Sequence, residues 1–186
     1  MRKAFSSFSS VQILAKKFII RQIDMGKVAD IDESSTEAVS ALRARLYRYC
    51  AARERAASEV ALQAHKIGLP EAELNEVLKR LKAERLLDED RHAHVYVRSK
   101  FSRGWGRVKI QAGLRALKVP QGYISAALRD EINEAAYAAA LQKQLKKKLG
   151  SKKPDKTAAA RAYRSLMQQG YESALVLAAL KQEVEG

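Results

Sequence analysis

The sequence predicts an all-α protein built from three tandem three-helix modules, which together form an elongated, curved repeat protein. From Thr36 onward, apolar residues recur every three or four positions, and Ala, Leu, Lys, Arg and Glu dominate. No segment alternates apolar and polar residues as a half-buried strand does. The pattern predicts nine helices, with the bounds 37–54, 58–67, 70–85, 88–102, 106–118, 120–130, 133–149, 155–169 and 171–184.

Glycine and proline mark the boundaries of these helices in chain order. They stand at Gly68 and Pro70, Gly104 and Gly106, Pro120 and Gly122, Gly150 and Pro154, and Gly170. Glycine adopts the turn conformations that end a helix, and proline is tolerated only in the first turn of a helix. Gly113 alone lies in the interior of a predicted helix, beyond its first turn.

The nine helices fall into three triplets with two shared apolar spacings. In the third helices, apolar residues follow at +3 and +4 in the sets Leu74, Val77 and Leu78; Ile124, Ala127 and Leu128; and Val176, Ala179 and Leu180. In the first helices the spacing is i, i+4, i+8, in the sets Leu42, Leu46 and Cys50; Ala93, Val97 and Phe101; and Leu141, Leu145 and Leu149. Two registers that agree at separations of about 50 residues indicate a repeat.

We therefore predict three modules, at 37–87, 88–132 and 133–186. Stacked modules contact mainly their neighbours, and this is why we expect an elongated molecule. We also expect Leu78, Leu128 and Leu180 to be largely buried, because they end the apolar stripe of each third helix.

The N-terminal residues 1–36 form a basic extension before the first module. The first 23 residues hold Arg2, Lys3, Lys16, Lys17 and Arg21 and no acidic residue, together with four serines. This composition resembles that of an organelle transit peptide, but we favour a flexible or loosely docked basic arm with a short amphipathic helix at 11–23. No credible cleavage site for secretion follows it.

The charge balance favours acidic partners. The 186-residue chain has 35 Lys and Arg against 21 Asp and Glu, a net charge of +14, while 47 % apolar residues are enough for a core. The single cysteine, Cys50, can neither form an internal disulfide nor build a thiolate zinc site, which fits a reducing, cytoplasmic setting. The stretch VQILAKKFII is too short and too charged to span a membrane.

Catalytic and metal-binding motifs are not recognisable in the sequence. His92 and His94 are two positions apart, so on a helix they point in different directions and cannot ligate one ion, and His65 has no ligand neighbour. The acidic run at 88–90 could suggest a nuclease, but its place at a helix start favours capping and dipole stabilisation. With no GxxxxGK[ST] loop and no nucleophile motif, we expect a protein that is not an enzyme and uses no metal or cofactor.

A first cationic tract surrounds the only tryptophan. Its basic residues, with no acidic residue among them, are Arg98, Lys100, Arg103, Arg107, Lys109, Arg115 and Lys118. Gly104 and Gly106 flank Trp105 and can take left-handed or open conformations, so we expect the indole to fold back as an apolar plug between two helices. The cations beside the apolar stripe of the next helix either bind a partner or form a solvated face.

A second cationic tract, LQKQLKKKLGSKK, follows. Its lysines are Lys143, Lys146, Lys147, Lys148, Lys152 and Lys153. Lysine clusters bind phosphates electrostatically without reading sequence, and they are also common as solubilising surface. Both interpretations stay open at this point, and we take the two tracts together as the candidate surface for a protein partner or DNA.

The segment LLDEDRHAHVYVRSKFSRGWGRVKIQAGLRAL resembles the central module of the RecX family, bacterial regulators of the RecA recombinase. In that family an acidic pair opens a helix carrying Tyr-Val, followed by a basic residue, Gly, a variable residue, Gly, and an Ile-x-x-x-Leu helix. The matching positions are Asp88, Glu89, Tyr96, Val97, Arg103, Gly104, Gly106, Ile110 and Leu114. The segment ARERAASEV also resembles the family's Arg-Glu-x-x-x-x-Glu-Leu stretch, through Arg53, Glu54, Glu59 and Val60.

The resemblance covers about residues 37–186 and is strongest in 86–117. The chain departs from the family pattern at three positions. His92 replaces a usual Phe, Arg107 replaces a frequent Pro, and Ala56 replaces a common helix-capping Ser. These changes bear on local packing and capping.

The resemblance implies a monomeric regulator, without cofactor, that binds RecA and its filament on single-stranded DNA. A curved body in the filament groove would inhibit filament growth, ATP hydrolysis and strand exchange, and so dampen recombination, DNA repair and the SOS response. Two alternatives remain open. One is a basic helical protein that binds DNA or RNA directly without RecA, and the other is a structural adaptor whose concave surface binds another protein.

Overall fold

The computed structural model describes residues 33–150 and 155–185. Within these ranges it contains nine α-helices and no β-strand, as the sequence predicts. The helices are α1 (Glu33–Ala52), α2 (Ala57–Lys66), α3 (Glu71–Ala83), α4 (Glu89–Ser102), α5 (Arg107–Ala116), α6 (Gln121–Glu131), α7 (Glu134–Leu149), α8 (Lys156–Gln169) and α9 (Ser173–Glu185). Most of the predicted basic extension, together with Lys152 and Lys153, lies outside the described residues.

The helices form three consecutive three-helix sets, which we call the first module (α1–α3), the second module (α4–α6) and the third module (α7–α9). The chain divides into two compact units, one ending at Asp88 and one beginning at Glu89. The described part of the first unit is the first module, with a core that includes Leu46, Val60 and Leu81. The second unit contains the second and third modules. None of the helices in the described ranges is both long and apolar enough to cross a bilayer.

The same turn ends the second helix of every module. It places one residue in the left-handed region, at Gly68 (φ 78°), Lys118 (φ 58°) and Gly170 (φ 85°). In each turn this residue donates its N–H to the carbonyl three positions earlier, and the next residue donates to the carbonyl five positions earlier. The distances are 3.0–3.1 Å in the first module, 2.9–3.1 Å in the second and 3.0–3.2 Å in the third. The lysine in the second module therefore occupies a conformation for which the other two modules use glycine.

The predicted apolar stripes are buried over most of their length, whereas four of their members, Leu42, Leu74, Phe101 and Leu149, are partly buried. In the first helices, Leu46, Cys50, Ala93, Val97, Leu141 and Leu145 are buried. In the third helices, the +3 residues Val77, Ala127 and Ala179 are buried, and so is Leu180. Leu78 and Leu128 are partly buried and therefore less enclosed than Leu180. The stripe on α3 and α6 is centred on the +3 position, and this leaves the +4 leucine at its edge.

Two of the departures from the family pattern are accommodated locally. At the start of α2 the Ala56 side chain cannot cap the helix, but the Glu59 carboxylate accepts a hydrogen bond from the Ala56 N–H at 3.1 Å, which is half of a capping box. His92 is buried, with 5 % of its surface exposed, and its ring lies 6.0 Å from that of Tyr96. The imidazole therefore lies in the core, at the position where an apolar ring is usual.

Candidate partner and nucleic-acid interface

The turn around Trp105 is held against the third module by backbone contacts. The N–H of Gly106 donates to the carbonyl of Gln169 at 2.8 Å, and the N–H of Val108 donates to the carbonyl of Gly170 at 3.1 Å. A Cβ on Gly106 would lie 2.1 Å from the Gly170 carbonyl oxygen. Because Gly106 has an ordinary extended backbone (φ −79°, ψ 164°), the position needs glycine for space, and Gly104 (φ 83°) alone supplies the left-handed conformation.

Tyr137 on α7 forms the centre of this junction. Its side chain is 1 % exposed, and its ring lies 6.2 Å from Phe101 and 5.4 Å from Tyr171. The hydroxyl accepts from the Arg107 N–H at 3.2 Å and donates to the Glu172 carboxylate. Burial and the bond to Glu172 raise the pKa of Tyr137, so the phenol stays protonated. Tyr137 was not among the residues predicted from the sequence, although positions 137, 141 and 145 extend the first-helix stripe by one turn.

Arg107 is an internal residue of this junction. Its guanidinium donates to both carboxylate oxygens of Glu134 at 3.1 and 2.8 Å and to the Ile132 carbonyl at 3.2 Å. It also lies 4.2 Å from the centre of the Tyr137 ring. Because a guanidinium with this many partners stabilises the fold, Arg107 is not a free cation for a partner.

Arg98 is neutralised in the same way. It donates to both oxygens of Glu131 at 3.0 and 2.9 Å, and His94 lies 3.0 Å from the same carboxylate. The hydrogen bond from Arg98 is the main reason that the pKa of Glu131 is lowered. The carboxylates missing from positions 98–118 are thus supplied by α6 and α7, so the first tract is less cationic in the fold than in the sequence.

Trp105 is partly buried, and its indole contacts side chains of both flanking helices, α4 and α5. The ammonium of Lys100 lies 4.6 Å from the centre of the indole ring, and that of Lys109 lies 4.5 Å from it. Lys109 also donates to the Gln168 carbonyl at 3.2 Å, and Lys100 lies 5.1 Å from the Tyr96 ring. The indole therefore holds two lysine head groups in place through cation–π attraction.

The fold brings the two cationic tracts together. A Cβ on Gly104 would lie 2.5 Å from the Gln144 side-chain nitrogen, so α7 passes directly beside the tryptophan turn. Lys147 and Lys148 are exposed and stand one turn beyond Gln144, on the same side of α7. We call Lys100, Arg103, Lys109, Lys147 and Lys148 the loop–helix surface. Among the described residues, none of these five forms an ion pair with a carboxylate.

Arg115 and Lys118 form a second, smaller cationic surface, which we call the flank surface. Both side chains are exposed, at the end of α5. The Arg115 Nε donates to Gln121 at 3.1 Å, and Gln121 donates to Ser125 at 3.0 Å. This chain of hydrogen bonds orients the guanidinium. The remaining lysines of the second tract, Lys143 and Lys146, are exposed on α7.

The described ranges contain no group of three His, Cys, Asp or Glu side chains that could hold a metal ion. Of the histidines considered in the sequence, His92 is buried and His94 pairs with Glu131. Glu89 and Asp90 lie in the first turn of α4, where their charges favour the helix dipole, as expected.

Comparisons with known proteins agree on one family. Residues 88–128 match the family model described as RecX, second three-helix domain. A regulatory protein RecX from Halorhodospira halophila is 35 % identical over 144 residues, which are 76 % of this chain and 88 % of that protein. A regulatory protein RecX from Geobacillus kaustophilus is 29 % identical over 182 residues, which are 92 % of this chain but only 66 % of that protein.

Two solved structures share the fold. A crystal structure of regulatory protein RecX superposes with a TM-score of 0.70 at 20 % identity, covering 89 % of this chain and 87 % of that one. The crystal structure of RecX from Lactobacillus salivarius gives a TM-score of 0.67 at 16 % identity, covering 81 % and 98 %. At these identities the likeness concerns the fold.

Proposed function

Because the chain belongs to the RecX family, we propose that it is a regulator that binds RecA and inhibits the growth, ATP hydrolysis and strand exchange of RecA filaments on single-stranded DNA. It would act in the cytoplasm, without a cofactor and without catalysing a reaction itself, and would thereby limit recombination, DNA repair and the SOS response. The observation that carries the proposal is the match to relatives named regulatory protein RecX over most of this chain.

The flank surface supports a contact with RecA. Arg115 and Lys118 are exposed cations that the fold does not neutralise with a carboxylate among the described residues. Lys118 also keeps a left-handed backbone, which costs a side-chain-bearing residue about 1–2 kcal/mol. Residues in strained backbone conformations cluster at functional sites. We therefore place these two residues, and neither Arg98 nor Arg107, at the contact with an acidic surface of RecA.

RecA-dependent ATP hydrolysis on single-stranded DNA tests the proposal. Increasing amounts of the full chain should lower the hydrolysis rate, and the charge-reversed variant R115E/K118E should need a higher concentration for the same effect. Inhibition by the unsubstituted chain should weaken as salt rises, because screening acts over about 8 Å at physiological ionic strength.

The matched control is R45E/R48E, which reverses two exposed arginines on α1 and changes the net charge by the same amount. It should inhibit like the unsubstituted chain. If hydrolysis is unchanged at every concentration of the unsubstituted chain, the proposed function is wrong. If R115E/K118E inhibits normally, RecA binds elsewhere on the protein.

A further inference from the structure

The third module carries an apolar groove on its surface, between α8 and α9. The groove encloses about 330 Å³ and is lined by Ala159, Ala160, Tyr163, Arg164, Leu177 and Leu180. The small side chains of the two alanines leave space along α8, and Leu180, which is only 7 % exposed, forms part of the floor. We propose that this groove binds an amphipathic helix, with acidic residues beside its apolar face, from a protein other than RecA.

Leu177 is an apolar residue that the module fold does not require. It lines the groove and is 54 % exposed. In the first and second modules the corresponding residues, seven positions after the left-handed residue of the turn, are Asn75 and Ser125, which are polar and exposed. The same turn and third helix therefore form without an apolar residue at this position. Covering Leu177 with a partner would remove its apolar surface from water, which favours binding.

The walls of the groove are held in place before any partner arrives. The hydroxyl of Tyr163 lies 2.9 Å from that of Ser173, and this hydrogen bond links α8 to α9. Ala162 and Leu166, on the neighbouring side of α8, are buried in the core of the module and fix the rotation of the helix. A groove with ordered walls loses little conformational entropy when a ligand binds.

The charge beside the groove decides which helix fits. Arg164 lines the groove, and Lys156 lies on the same side of α8, four positions before Ala160. Both cations are exposed, and in the ranges 33–150 and 155–185 neither pairs with a carboxylate. The carboxylate next to them, Asp155, caps α8 by accepting from the Ala158 N–H at 2.5 Å. Glutamate or aspartate beside the apolar face of a bound helix would therefore complement this charge.

The same cations disfavour the other occupants that the chain itself could provide. In a symmetric pair of copies, Arg164 and Lys156 would approach their own counterparts. The apolar segment at 11–23 carries Lys16, Lys17 and Arg21 and no acidic residue, so it would add positive charge to the groove.

The groove also differs from the flank surface, which we assign to RecA. Protein interfaces usually have a buried apolar centre. The groove offers one, whereas the flank surface is polar, so the two surfaces fit partners of different chemistry. The inference goes beyond the proposed function and does not rest on it.

A labelled helical peptide provides the test, through fluorescence anisotropy with the full chain. The probe is a designed peptide of about 18 residues, with leucine repeated at i, i+3, i+4 and i+7 and glutamate at the flanking positions. It should bind with a dissociation constant in the micromolar range, as small interfaces do. A scrambled peptide lacks the apolar face, and a peptide with lysine in place of glutamate repels Arg164 and Lys156. Each should bind about tenfold or more weakly.

Substitutions on α8 and α9 provide the site-specific test. Leu177→Ser should weaken binding of the glutamate peptide about tenfold, because the apolar contact is lost. Its matched control, Leu175→Ser, removes a leucine of α9 that is 42 % exposed and lies outside the groove. Arg164→Glu should also weaken binding, whereas Arg161→Glu, at an exposed position of α8 outside the groove, should bind like the unsubstituted chain. All four variants should keep their helical circular dichroism spectra.

Several results would overturn the inference. The glutamate peptide would fail to bind, or Leu175→Ser would weaken binding as much as Leu177→Ser. A peptide of residues 11–23 that displaces the probe at equal concentration would assign the groove to the chain's own N-terminal segment. A dimer in sedimentation that Leu177→Ser dissociates would assign it to a second copy.

The RecA assay separates this proposal from the proposed function. Leu177→Ser should inhibit RecA-dependent ATP hydrolysis like the unsubstituted chain, and a loss of inhibition would assign the groove to RecA. Peptide binding is measured without RecA, so it is unaffected if the unsubstituted chain fails to inhibit hydrolysis. The two proposals therefore fail independently.

Discussion

Gly106→Ala is the most direct test of how the second and third modules are joined. The backbone at Gly106 (φ −79°, ψ 164°) is one that alanine adopts without strain. The added methyl group would nevertheless lie 2.1 Å from the carbonyl oxygen of Gly170 and 2.4 Å from the backbone nitrogen of Tyr171. Because both neighbours are backbone atoms, no side chain can rotate away, and the two modules have to separate.

The size of the effect follows from the contacts that separation would break. Overpacking in a rigid site costs about 1–3 kcal/mol. The hydrogen bonds from Gly106 to Gln169 and from Val108 to Gly170 contribute about 0.5–1.5 kcal/mol each. Replacing glycine by alanine lowers the conformational entropy of the unfolded chain, and this offsets the loss of stability by only about 0.4–1 kcal/mol. We therefore expect a net loss of roughly 2–4 kcal/mol in the stability of the second unit.

The assay is thermal unfolding of the full chain, followed by the fluorescence of Trp105, which adjoins the substituted residue. A loss of this size should lower the melting temperature of the second unit by at least about 8 °C. Gly122→Ala is the matched control. A Cβ at Gly122 meets nothing within 4 Å, and alanine is a better helix former, so this variant should be as stable as the unsubstituted chain or slightly more so. An unchanged melting temperature for Gly106→Ala would show that the second and third modules accommodate the methyl group without separating.

Two further predictions concern the second module. Lys118→Gly should raise the unfolding free energy by roughly 0.5–1 kcal/mol, because glycine removes the left-handed strain of about 1–2 kcal/mol but loses more conformational entropy on folding. Chemical denaturation measures this difference, and the same variant should inhibit RecA more weakly. Glu131→Gln should destabilise the protein at neutral pH, and its difference in melting temperature from the unsubstituted chain should persist down to about pH 4.5 and vanish at lower pH. The reason is that Arg98 lowers the pKa of Glu131 below its usual 4.5, so the stabilising charge is lost only when the carboxylate is protonated below that pH. A difference that stays constant through the acid range would contradict this.

The helices and the family followed from the order of residues along the chain. Turn residues act locally, so glycines and prolines such as Gly68, Pro70 and Pro120 marked the helix ends within a few residues. The apolar spacing identified Leu46, Val97 and Leu145 as core because the side-chain direction along a helix depends only on its period. The motif around Trp105 indicated the RecX family before any contact was known.

Which cations are free of carboxylate partners depends on how the helices pack. Arg98 and Arg107 looked unpaired in the sequence, yet their partners Glu131 and Glu134 come from helices about 30 residues further along the chain. No local period predicts such a pair, because it depends on how whole helices are packed and oriented.

Sequence spacing likewise does not predict the junction at Gly106, the flank surface or the loop–helix surface. The close approach of Gly106 and Gly170, and the meeting of the two cationic tracts where Gly104 lies against Gln144, are properties of module packing. Composition predicted a basic protein that binds an acidic partner. The packing of α7 and α8 against the tryptophan turn decided where its unpaired charges lie, because non-local contacts depend on three-dimensional fit and not on spacing along the chain.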